Sequence, residues 1–124
     1  MVEISFSLPE PKFHNGDKVV LRGEAVILVT APKGKGVEIA RKLVEARIAA
    51  CVNVGNVKSI YWWQGKIEED DEEILVIKTR LELVDKIVEY VKRIHPYQVP
   101  EIIILPIIGG YEEYLRWVRE NTRK

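Results

Sequence analysis

The sequence is short of cysteine, histidine, methionine and net charge. Its single cysteine in 124 residues, Cys51, excludes an internal disulfide framework and suits a reducing compartment. No apolar stretch approaches the roughly 18 residues that a bilayer span requires. The opening MVEISFSLPEPKF has neither a basic leader nor a long apolar core, so it does not read as a signal peptide, and the expected location is the cytoplasm, without a membrane partner. Lys and Arg number 19 and Asp and Glu 19, so the basic excess of a nucleic-acid binder is missing. Apart from Met1, the softer metal ligands are Cys51, His14 and His95. No C-x-x-C or H-x-x-x-H spacing joins them, and no Ser-His-Asp or Cys-His arrangement can be read from spacing.

What is present is a compact-domain composition. Hydrophobic residues make up 47% and charged residues 31%, against disorder and in favour of one domain with its own core. Abundant Lys, Glu, Ile and Val with little Gln or Asn point to a thermophilic source. AVILVTA (25–31) reads as a buried strand ending at Pro32. Residues 36–49 are helical in pattern, with Val37, Ala40, Leu43 and Val44 on one face. ACVNVGNVKSIYWW (50–63) and KIEEDDEEILVIKT (66–79) are strands joined by a Gln-Gly turn into one long hairpin. Val84, Ile87, Val88, Val91 and Ile94 set a helix over 81–95, which Pro96 ends. EIIILPII (101–108) is a strand broken by Gly109-Gly110, and a last helix follows over 111–121 with Tyr111, Tyr114, Leu115 and Val118 on one stripe.

That order is the βαββαβ pattern of an α+β, ferredoxin-like sandwich, with a C-terminal helix added. In it the first and third strands are central, and Pro106 places the last at an edge. Both edges then need cover, and the long second strand offers one that another copy of the chain can pair with.

Each candidate for chemistry has a plain structural alternative. APKGKGVE (31–38) sets a glycine-rich turn between strand and helix, where phosphates often bind, but it lacks the G-x-x-x-x-G-K-[ST] pattern and reads first as a solvated turn. EEDDEE (68–73) lacks the spacing of a calcium loop and reads as a solvated charge run. Trp62 and Trp63 face opposite sides of their strand and cannot form one stacking platform. At least one is expected inside the domain and the other against a neighbour. A lone Cys in AAC reads as a small core residue, and a lone His beside proline as a hydrogen-bonded loop residue.

Taken together, ARIAACVNV, SIYWWQGKIE, EEILVIKT, HPYQVPEIIILPI and YLRWV resemble the CutA divalent-ion-tolerance proteins, over about residues 25–122. The resemblance implies a ferredoxin-like subunit in a PII-like homotrimer, engaged through strand edges and long hairpins. It also implies a cytoplasmic protein of copper or other divalent-cation tolerance, without an established reaction. The family's patterned positions carry over as Cys51, Asn53, Tyr61, Trp62, Trp63, Gly65, Lys66, Lys78, Thr79, His95, Pro96, Tyr97, Pro100 and Glu101. Of these, His95, Cys51 and Glu101 are the expected contacts for a weakly held copper or other divalent cation, or for a small ligand. Gln64 stands where many members have Glu. Val29 and Ile94 stand where some members thought to bind copper have Cys and His. The rival reading is a PII-like trimeric regulator that binds a small molecule near Lys35, Lys66 or Lys78, or a protein partner. Residues 1–24 lie outside the resemblance. With ISFSL, an Asn-Gly turn signal and KVVLR, they form an N-terminal extension expected as a β-hairpin or arm, ahead of the domain at 25–124.

Overall fold

In β1 (Glu24–Pro32) the buried side chains alternate from Ala25 onward: Ala25, Ile27, Val29 and Ala31 are all fully buried, with half-exposed residues between them. That is the period-two pattern of a strand packed on one face. The computed structural model describes residues 23–123, so the expected N-terminal arm lies outside the described residues. After β1 come α1 (Gly36–Glu45), β2 (Cys51–Trp63), β3 (Lys66–Arg80), a 3-10 turn (Leu81–Leu83), α2 (Val84–Ile94), β4 (Ile102–Pro106) and α3 (Glu112–Glu120). The four strands form one antiparallel sheet in the order β2-β3-β1-β4, so β1 and β3 are central as the pattern requires.

The core lies between one face of this sheet and the helices α1 and α2. Ile27, Val29, Leu75 and Ile77 meet Ile39, Leu43, Ile87 and Val91 there. Each such side chain contributes about 1.5–3 kcal/mol by leaving water. Thr79 is a polar member of that face, and its hydroxyl donates to the Ile48 carbonyl at 2.6 Å. The α1 stripe differs from expectation. Ile39, Ala40 and Leu43 are inside, while Val37 and Val44 are 54% and 39% exposed and border a shallow groove over Val52 and Val54 of β2. The helix also stops at Glu45 rather than 49, because Arg47 adopts a left-handed backbone (φ 63°) and its N–H turns back to the Val44 carbonyl.

Gln64 (φ 49°) and Gly65 (φ 76°) both have the positive φ that a two-residue hairpin turn demands, so the Gln-Gly pair closes β2 onto β3 as read. At the other connection, His95 is extended (φ −76°, ψ 139°), as the residue before a proline must be, and α2 ends there. Pro106 pairs with Ala25 at the end of the edge strand β4. Helix α3 lies on the opposite face of the sheet from α1 and α2, reached by Glu24 and Arg80, whose strand neighbours Ala25 and Thr79 point into the core.

Candidate functional site

β1 ends at Pro32 opposite Glu72, so beyond that pair the β2–β3 hairpin continues without a third strand, from Lys58–Asp71 to Trp63–Lys66. At about 3.4 Å per residue this arm projects roughly 20 Å past the sheet. Its register decides which side chains meet at its root. Tyr61 pairs with Glu68, so it shares a face with Asp70 and Glu72, and that face is the one turned away from α1 and α2. The Tyr61 hydroxyl donates to Asp70 Oδ2 in a short hydrogen bond. Tyr97, from the loop after α2, donates its hydroxyl to Glu72 Oε2 at 3.0 Å, and Glu72 is buried. The hydrogen bond to Asp70, then burial, then the charges of Asp70 and Glu72 push the Tyr61 phenol up to about 12. Burial first, then the bond to Glu72, raises Tyr97 as well.

His95 braces this cluster from behind. The Thr30 carbonyl can only accept, so His95 Nε2 donates to it at 2.7 Å, and Nδ1 accepts the Tyr97 N–H at 3.1 Å. The ring is buried and lies 4.9 Å, centroid to centroid, from the Tyr97 ring. Both nitrogens are therefore engaged within the subunit, and their effect is to hold Tyr97 over Glu72.

The glycine-rich turn at 32–36 proves to be filled. Glu73 Oε1 accepts the Gly34 N–H at 3.1 Å and the Gly36 N–H at 2.7 Å, so a carboxylate of β3 occupies the N-terminal end of α1. A Cβ at Gly36 would come within 2.7 Å of that same oxygen, which is why the position needs glycine. The acidic run is solvated only over Glu69–Asp71; Glu72 and Glu73 are buried and hydrogen-bonded.

The three expected metal contacts do not meet in one subunit. Glu101 is exposed just before β4, close in sequence to His95. Cys51, half-buried, opens β2 opposite Lys78, at the far end of the sheet from Thr30 and His95. Burial first, then the Cys51 thiol, raises the Tyr114 phenol of α3. Among the described residues no group of three or more His, Cys, Asp or Glu side chains is placed to hold a metal. Sequence reasoning missed Asp70, Glu72 and Glu73. Their strand alternation was visible, but the point where β1 stops covering them was not.

The tryptophans also depart from expectation. Neither is buried in the domain: Trp62 is 73% and Trp63 59% exposed, because the arm extends beyond both helices.

The family model described as CutA1 divalent ion tolerance protein matches residues 25–121. The divalent-cation tolerance protein CutA of Thermus thermophilus is 52% identical over 101 residues, covering 80% of this chain and 98% of that one. The chloroplastic protein CutA 1 of Oryza sativa is 48% identical over 101 residues, 80% of this chain, and the chain spans only 57% of that relative's length. The crystal structure of CutA1 from Oryza sativa superposes with a TM-score of 0.80 at 44% identity, over 84% of this chain and 97% of that one. CutA1 from the psychrotrophic Shewanella sp. SIB1 gives 0.79 at 39% identity, over 84% and 99%. With four strands, three helices and the hairpin all in place, the chain belongs to the CutA1 divalent ion tolerance protein family.

Proposed function

We propose that the chain works as a cytoplasmic homotrimer that holds a divalent cation or a small ligand in the clefts between subunits, with no reaction on a substrate. The observation that carries this reading is an uncovered apolar surface beside a built polar cluster. On edge strand β4, Ile103 and Leu105 are 44% and 45% exposed on one face of the sheet, and Ile104 is 40% exposed on the other. Ile60, Ile67 and the two tryptophans are more exposed still on the arm. Among the described strands β2 pairs only with β3 and β4 only with β1, so both edges are open. Copies of the chain that pair these edges would bury that surface in a closed ring. The arm root, with Tyr61, Asp70, Glu72 and Tyr97, would then face a neighbour.

The donor set favours a hard cation. Carboxylate and phenol oxygens suit magnesium, calcium or manganese, whereas copper prefers nitrogen and sulfur. Within one subunit the described residues do not fit copper: His95 has both nitrogens engaged and Cys51 stands at the other end of the sheet. A bound cation would therefore draw on Glu72, Asp70 and Glu101 from more than one copy and would neutralise their charge. A second reading, a trimeric regulator taking a small anion, is supported by Lys78, half-buried on the open face opposite Cys51. The filled turn at Lys35 speaks against that part of it.

Native mass spectrometry of the untagged protein, as purified and with graded Mn(II) or Cu(II), tests this. A trimer that takes up cation in a fixed ratio, with uptake lost in Glu72→Gln, supports the proposal. Unsaturable uptake, or uptake indifferent to Glu72→Gln, removes the cation site and leaves the regulator. A clean monomer overturns the assembly itself.

A further inference from the structure

Two adjacent carboxylates hold the arm where it leaves the sheet. Glu72 and Glu73 pair with Pro32 and Ala31, the last two residues of β1, so they are the last positions of β3 with a strand on both sides. Successive strand residues point to opposite faces. Glu72 therefore reaches the open face, where its Oε2 accepts the Tyr97 hydroxyl at 3.0 Å. Glu73 reaches the helix face, where its Oε1 accepts the Gly34 and Gly36 N–H groups at 3.1 and 2.7 Å. Both carboxylates are buried. Each partner is itself fixed. Tyr97 is tied through its N–H to His95, and His95 to the Thr30 carbonyl of β1. The turn that holds Glu73 is closed by the Lys35 N–H on the Pro32 carbonyl at 3.0 Å. A Cβ at Gly36 would lie 3.0 Å from Glu73 Cβ and 3.1 Å from Val54 Cγ1, so α1 sits directly on both strands of the hairpin.

We propose that Glu72 and Glu73 form a two-sided clamp that sets the direction of the arm, with Tyr97 and the turn at Gly34 and Gly36 as positioning residues for assembly. The clamp rests on the trimer proposed above, in which copies bury the apolar surface of the arm. A ribbon of two strands has no third strand to stiffen it and twists more than a full sheet, so its direction is decided at its root. Over an arm of roughly 20 Å, a tilt of about 10° at the root moves the tip by about 3.5 Å, enough to lose the close contacts of an interface. Hydrogen bonds to a carboxylate are short and directional, which suits an angular constraint. One on each face opposes tilt either way, where an anchor on one face would oppose only one.

Subunit exchange between unlabelled and heavy-isotope-labelled full-length protein, followed by native mass spectrometry, tests the clamp. Tyr97→Phe opens the jaw on the open face, and Glu73→Ala the jaw on the helix face. Each alone should speed exchange by about threefold. Together they should speed it by at least about thirtyfold, more than the product, because either single variant keeps one jaw. Glu73→Gln, whose amide oxygen still accepts, should exchange like the unaltered protein. Leu43→Ala, in the core near the other end of α1, lowers stability without touching the clamp and should stay within about twofold of the unaltered protein. Exchange unmoved by the double variant, or moved as much by Leu43→Ala, would overturn the clamp and leave the trimer standing. A monomer from the unaltered protein would overturn the trimer, and the clamp's role with it.

Discussion

The Tyr61 phenol shows how one contact sets a titration. Its bond to Asp70, with burial and the charges of Asp70 and Glu72, raises the pKa from 10.0 to about 12. A raised pKa means that the contribution is fully present below 10.0, the unfolded value, and is lost as pH climbs through 12. An ultraviolet absorbance titration should therefore find a late-ionising tyrosine that vanishes in Tyr61→Phe, and Asp70→Asn should move it back toward 10.0. Ionisation of Tyr61 near 10.0 in the unaltered protein would contradict the pairing. At this scale the sequence was half legible. His95 and Tyr97 stand out beside two prolines. That His95 positions Tyr97 depends on Thr30, 65 residues away along the chain.

Among the elements, α1 is the clearest case of a local reading completed from a distance. The turn PKGKG does present its N–H groups to an anion, but the anion is Glu73, 37 residues beyond Gly36. Glu73→Ala should leave two N–H groups without that acceptor and cost about 1–3 kcal/mol, while Glu73→Gln, whose amide oxygen still accepts, should cost less. Denaturant midpoints at one fixed protein concentration would measure both, and equal stability of Glu73→Ala and the unaltered protein would rule out the cap. The same helix shows the limit of periodicity. Val37 and Val44 match an apolar stripe, yet they turn toward β2, because the sheet fixes the helix by Ile39 and Leu43.

For the whole molecule, the decisive feature is the surface one subunit leaves open. Ile103 and Leu105 are half-exposed on an edge strand, so a lysine there costs the isolated subunit little but would be intolerable inside an interface. Leu105→Lys should dissociate the assembly in sedimentation velocity while far-ultraviolet circular dichroism stays unchanged. An intact trimer from Leu105→Lys would place the interface elsewhere.

The sequence by itself determined the element order and the hairpin turn, because each rests on local signals: strand alternation, helical spacing, a Gln-Gly pair, a proline after His95; the sheet order followed from the βαββαβ pattern those elements make, and the family from the resemblance of its motif blocks. Only the tertiary structure decided which acids are buried, what fills the α1 turn, and that Cys51 stands at the far end of the sheet from His95. Those facts depend on where β1 ends beside β3 and on which face of the sheet α3 covers. Spacing along a chain does not encode such distances, which follow from the register of strands far apart in sequence.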